Sequence, residues 1–158
     1  MKKMNVAVTG NPNCGKTTLF NLLAGTNYHV ANYPGITVER KFAGVNHKGQ
    51  EFILHDLPGS YSLSVFSEEE KVTRDFLVLD KPDIVLQVID ASNLQRNLYF
   101  TVQLIEMGLP VILALNMVDV AEKRGRKIDA KKLSQKLGVP VIETVARNGE
   151  GREKVLDA

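Results

Sequence analysis

At 158 residues the chain suits a single domain, long enough to bury roughly two-thirds of the surface its unfolded form exposes. An apolar share of 44% and a charged share of 24% are those of an ordinary soluble globular protein. The formal charge of +2 argues against a dedicated nucleic-acid binder, and a single cysteine, Cys14, excludes an internal disulfide.

Lys2 and Lys3 make the start basic, but Asn5 to Thr9 is too short for the core of a signal peptide. Val6-Ala7-Val8 reads as a first strand and Thr17 to Ala24 as a first helix. Glu39 to Val45 reads as an extra strand that runs through a hairpin-like turn, His47-Lys48-Gly49-Gln50, into a strand over Glu51 to Leu57. A helix over Glu68 to Leu79 and a strand over Ile84 to Ile89 follow. The helix over Leu94 to Met107 places Leu98, Val102 and Ile105 on one face. Next come a strand over Val111 to Leu115, a helix over Ala130 to Leu137 and a strand over Val139 to Ile142. Several of these strands are too uniformly apolar to have a wet face. The alternation predicts an α/β domain over residues 1–158, with a mostly parallel sheet of about six or seven strands, helices on both faces and one antiparallel edge strand. No apolar run approaches the ~18 residues of a membrane span, so any membrane connection must lie outside these residues. The closing helix signal, Glu153 to Leu156, stops after about two turns, poor cover for a sheet. We therefore expect a piece of a longer protein.

Gly10-Asn11-Pro12-Asn13-Cys14-Gly15-Lys16-Thr17 fits G-x-x-x-x-G-K-[ST] between a predicted strand and a predicted helix. The glycines let backbone N–H groups curl round a β-phosphate, and the helix contributes its positive end. Lys16 is expected on the β- and γ-phosphates, and the Thr17 hydroxyl on Mg²⁺, with Thr18 beside it in the same nucleotide-binding set. Asp56-Leu57-Pro58-Gly59 ends a strand some forty residues on. Its aspartate can hold Mg²⁺ through water, and Gly59 can donate its N–H to the γ-phosphate. Alone, D-x-x-G is a common turn; after a phosphate loop it gains meaning. Between the two, Pro34-Gly35-Ile36-Thr37-Val38-Glu39 is turn-rich, and Thr37 is the candidate to complete the magnesium shell, with Gly35 and Ile36 beside the nucleotide.

Asn116-Met117-Val118-Asp119 follows a buried strand. The Asp119 carboxylate can accept both N1–H and N2–H of guanine, whereas adenine would leave a buried charge unpaired at several kcal/mol by order of magnitude. Asn116 would tie this loop to the phosphate loop and approach the base edge. The lysine usual in N-K-x-D is Met117, whose stem can still pack on the base without an ammonium contact. Thr144-Val145-Ala146-Arg147 stands where a backbone N–H contacts guanine O6, with Val145 in place of the usual serine. Gln commonly follows D-x-x-G to orient water; here Ser60 is too short, and no arginine is evidently supplied in cis. Turnover is therefore expected to be slow, on the order of 10⁻⁴ to 10⁻² s⁻¹.

Asn32 to Arg40, Asp56 to Leu63 and Asp90 to Tyr99 resemble the N-terminal G domain of the FeoB ferrous-iron transporters, and the methionine of Asn116-Met117-Val118-Asp119 also occurs there. The resemblance runs over almost the whole chain. It implies a Ras-like P-loop GTPase using GTP, GDP and Mg²⁺, on the cytoplasmic face of a bacterial inner membrane. Its own C-terminal regulatory and membrane domains would be its partners, with a homo-oligomer conceivable and no nucleic acid. It further implies K⁺ at Asn13, which would supply the transition-state charge that glutamine and arginine do not. The states with GTP and GDP would order and release Thr37 and Asp56 to Glu70. Lys16, Asn13, Thr37 and Gly59 thus form the expected catalytic set. The alternative is a soluble assembly GTPase on ribosomes or RNA. Within the phosphate loop, Cys14 fills a variable position and can be a redox thiol beside a helix N-terminus or packing. His55 and His29 read as structural and solvated, and Lys123 to Lys127 as a solvated loop rather than a lipid contact.

Overall fold

The computed structural model describes residues 2–25 and 27–158. Seven strands form one sheet in the order β2-β3-β4-β1-β5-β6-β7. The central strands β1 (Met4–Gly10), β4 (Gln50–Asp56), β5 (Ile84–Asp90), β6 (Val111–Asn116) and β7 (Val141–Glu143) are mutually parallel. Strand β3 (Glu39–His47) runs against them and pairs antiparallel with both β4 and β2 (His29–Asn32). The expected class and the single reversed strand are both present, but β3 is not the edge. The edge is β2, whose four residues are all exposed and so carry no apolar signal. The β3–β4 turn has Lys48 at φ 52° and Gly49 at φ 84°, the two positive values that a twist-compatible two-residue hairpin turn needs.

Strand alternation sends Val6, Val8, Leu86, Val88 and Ala114 to one face, where Leu19, Phe20 and Leu23 of α1 (Lys16–Ala24) and Val155 of α6 (Arg152–Asp157) cover them. Ala7, Val85, Ile89, Leu113 and Leu115 face the other way. They meet Leu77, which follows α2 (Glu68–Asp75) in the chain, Phe100 and Leu104 of α3 (Leu94–Glu106), and Ala121 of α4 (Val118–Lys123), with α5 (Ala130–Leu137) at the margin. Helix α2 starts on Ser67, whose hydroxyl accepts from the Glu70 N–H, and it ends in a π turn over Phe76–Asp80 rather than continuing as one helix. The face expected for α3 is displaced by one position: Asn97, Phe100, Thr101 and Leu104 are buried, and Val102 is 43% exposed. Polar Asn97 and Thr101 hide that face in the sequence because they bond inward, to the Asp90 N–H and to Gln87 Oε1. Strand β7 starts at Val141, after Pro140, not at Val139. No helix among the described residues is long and apolar enough to cross a membrane.

Parallel pairing puts the C-terminal ends of β1, β4, β5, β6 and β7 on one edge, so the loops after Gly10, Asp56, Asp90, Asn116 and Glu143 gather there.

Candidate nucleotide site

The phosphate loop spans the turn from β1 to α1. Gly15 has φ 88°, and a Cβ there would lie 2.2 Å from the Asn116 side-chain nitrogen, so only glycine fits. Asn13 also takes a left-handed conformation, φ 65°, which asparagine tolerates. Cys14 is buried, and burial pushes its thiol up to about 11, so it packs in the core in its protonated form.

Lys16 Nζ is ion-paired with Asp56 Oδ1, both side chains only 11% exposed. The amine expected on phosphate and the carboxylate expected near the metal thus hold each other at the junction of α1 and β4. The Asp56 carboxylate and the hydroxyl of the adjoining Thr17 are hard oxygen donors of the kind Mg²⁺ takes. The segment after Asp56 is fastened to the phosphate loop: the Leu57 N–H donates to Val8 O at 3.0 Å and the Ser60 N–H to Gly10 O at 2.9 Å. A Cβ at Gly59 would come 3.2 Å from Pro12, so the two loops touch. Ser60 is buried, and its hydroxyl donates to Ser62 O at 2.6 Å. This bond holds it in the turn. Thr73 of α2 donates to Pro58 O at 3.0 Å, and the Leu63 N–H donates to Gln103 Oε1 of α3 at 2.9 Å. These two anchors come from helices with no motif to announce them.

At the other end Asn116 is the joint. It is 3% exposed; its Nδ2 donates to Cys14 O at 3.1 Å, and its Oδ1 accepts from the Thr144 hydroxyl and the Ala146 N–H, both at 3.0 Å. The expected tie to the phosphate loop is there, and the same side chain also fixes the Thr144–Arg147 loop. The sequence marks Thr144 only as the start of that loop, not as a partner of Asn116. Met117 adopts φ 61°, and its methyl would sit 3.5 Å from a Cβ on Gly15, so it packs over the phosphate loop. Val145 is buried, bridging to Glu150 at 3.2 Å. Asp119 Oδ2 is ion-paired with the Arg147 guanidinium, while Oδ1 is buried without a hydrogen-bond partner. A pocket of about 90 Å³ opens here, lined by Gly15, Thr18, Asn116, Met117, Asp119 and Arg147 among others.

Thr37 lies elsewhere. It is exposed in a turn closed by the Tyr33 N–H on Val38 O at 2.9 Å, with Gly35 at φ 76° and Ile36 donating to Tyr33 O. Among the described residues no hydrogen bond links its side chain to Thr17 or Asp56. Of the remaining sequence candidates, His55 is buried, its Nε2 3.0 Å from Asn5 Oδ1 and its ring 4.8 Å from that of Phe76, and burial lowers it to about 4. His29 is exposed beside Phe42, and Arg126 of the basic loop donates to Ser92 O at 2.9 Å.

A phosphate loop opening α1, a D-x-x-G segment fastened to it and an Asn–Asp loop stitched across it, all at one edge of this sheet, define a P-loop G domain. The sequence profile described as Ferrous iron transport protein B matches residues 4–158, and the chain belongs to that family. It is 50% identical to the Fe(2+) transport protein A/Fe(2+) transporter FeoB fusion protein of Porphyromonas gingivalis over 98% of this chain. It is 46% identical to the Fe(2+) transporter FeoB of Escherichia coli over 97%. It spans only 18% and 20% of those proteins. Among solved structures, the G domain of T. maritima FeoB superposes with TM-score 0.92 at 43% identity, covering 99% of this chain and 96% of that one. A GDP-bound mutant of S. thermophilus NFeoB gives 0.91 at 51% identity, over 98% of this chain and 60% of that one.

Proposed function

We propose that the chain binds GTP and GDP with Mg²⁺, hydrolyses GTP slowly with help from K⁺, and regulates the ferrous-iron permease of a longer protein. The carrying observation is the Asn116 joint, which makes the phosphate end and the base end one frame. In this reading Lys16 exchanges Asp56 for β- and γ-phosphate oxygens, and the Gly59 N–H donates to the γ-phosphate. Asp56 and Thr17, joined by Thr37 in the GTP state, hold Mg²⁺, whose charge offsets that of the phosphates. Asn13 and carbonyls around Tyr33 to Ile36 offer oxygen to K⁺. Thr37 and Asp56 to Glu70 order and relax with the nucleotide, and that difference is what a neighbouring domain can sense.

The partners are the protein's own regulatory and membrane domains, at the cytoplasmic face of the inner membrane, with a homo-oligomer open to test. The transport relatives support this over an assembly GTPase on RNA. Base choice tests the site. GTP should outcompete ATP by at least a hundredfold, on the order expected when a buried acceptor loses its donors. Asp119→Asn should move preference toward xanthine nucleotides, because an amide can donate to the 2-oxo group that the carboxylate repels. Equal competition by ATP and GTP would remove Asp119 from its role.

A further inference from the structure

We propose that Arg147 is a counter-ion gate on the base pocket: its guanidinium competes with guanine for Asp119 and so weakens the hold on nucleotide. This rests on Asp119 being the guanine reader. That role needs both carboxylate oxygens, one for N1–H and one for N2–H. In the structure Oδ2 is taken by Arg147, and only the buried Oδ1 is free of partners. Base and guanidinium cannot share Oδ2 in the same direction, so binding must displace the arginine.

The surroundings support displacement rather than clamping. Arg147 lines the pocket itself, together with Gly15, Met117 and Val120, so its side chain stands in the space that the base needs. The two residues before it are held by the Ala146 N–H on Asn116 Oδ1 and by the Val145–Glu150 bridge, while the Arg147 side chain is 61% exposed. A fixed stem with a solvated head swings out easily. An ion pair this exposed biases an equilibrium by no more than about fivefold. Arg147 is the only cation ion-paired with Asp119 among the described residues. The carboxylate, partly buried, would otherwise stand alone in the empty pocket. The arrangement therefore stabilises the nucleotide-free pocket and weakens product binding.

The test is GDP binding to this chain, with fluorescent GDP as probe, for the parent, Arg147→Ala, Arg147→Lys and Asp119→Ala. Arg147→Ala should bind about two- to fivefold more tightly at low ionic strength. Arg147→Lys should stay near the parent. The advantage of Arg147→Ala should shrink toward unity between roughly 0.01 and 1 M NaCl, as the screening length falls from about 30 to about 3 Å. Asp119→Ala should lose GDP binding. If it does and Arg147→Ala binds equally or more weakly, the gate is wrong and Arg147 holds the base. A tighter Arg147→Ala whose advantage ignores salt also overturns it, since the effect would not be ionic. If Asp119→Ala keeps the parent's affinity, the assignment of the base reader fails, and the gate with it.

Discussion

Asn13 shows how far a single residue can be read. Its left-handed backbone, φ 65°, is accounted for by the tight turn alone. Yet its side chain lines a cavity of about 200 Å³ with Tyr61, Asp90 and Arg96, beside the phosphate loop. Ser60 is locked in its turn, and Arg96 lies with its guanidinium 4.9 Å from the Tyr61 ring centre, so neither replaces the missing glutamine. The transition state spreads negative charge over phosphate oxygens, which leaves a deficit that a monovalent cation on Asn13 can fill. At fixed ionic strength GTP hydrolysis should be about tenfold or more faster in KCl than in NaCl. Asn13→Ala should erase that difference while GDP binding stays within a few-fold. Equal rates in the two salts would give the charge to another group. Glycine and lysine spacing made this loop legible in the sequence. The Arg147–Asp119 pair was not, because its members are 28 residues apart and meet only when β6 and β7 pair.

Elements were legible where burial is two-sided. β1, β5 and β6 are apolar on both faces and stand out as runs, whereas β2 is exposed throughout and α4 has only Ala121 buried, so neither leaves a pattern. The packing of the π turn on β4 also has no sequence signature, and it makes His55 a stability determinant. With Nε2–H donating to Asn5 Oδ1 and Nδ1 buried without a partner, the ring is neutral. Protonation would place an unpaired N–H and a charge beside Phe76. Burial first, then the Arg40 charge, lowers the folded value from 6.5 to about 4. The unfolded chain therefore binds the extra proton between those values, and this contribution is present above pH 6.5 and fades as pH falls toward 4. Urea unfolding should show a loss of about 2 kcal/mol from His55 between pH 7 and pH 5. His55→Gln, which can still donate to Asn5, should flatten the profile by that amount. A parent and variant with parallel profiles would place the titration elsewhere.

Across the whole molecule, the binding loops belong to the same body as the core. Asn116 joins β6 to the phosphate loop and to the Thr144–Arg147 loop, and Lys16 joins α1 to β4 through Asp56. The alternation of strands and helices predicted the mostly parallel sheet; what it could not place was Thr37, whose turn is closed by the Tyr33 N–H on Val38 O. A ligand that spans the frame must stabilise all of it, because it binds the folded chain and has no site on the unfolded one. At a GDP concentration of one hundred times Kd the gain is about 2.7 kcal/mol. For a domain of this size each kcal/mol moves Tm by roughly 2–4 °C, so GDP with Mg²⁺ should raise Tm by about 5–10 °C. Chelating Mg²⁺ should reduce the shift, because Asp56 and the phosphates would then face each other without the cation between them. Asp119→Ala should abolish most of the shift without lowering the melting point of the ligand-free chain by more than a few degrees, since its partner Arg147 is largely solvated. Differential scanning calorimetry at fixed pH reads all three. A Tm that ignores GDP in the parent, at concentrations that saturate direct binding, would mean that the loops move independently of the sheet, against the joints that Asn116 and Lys16 make.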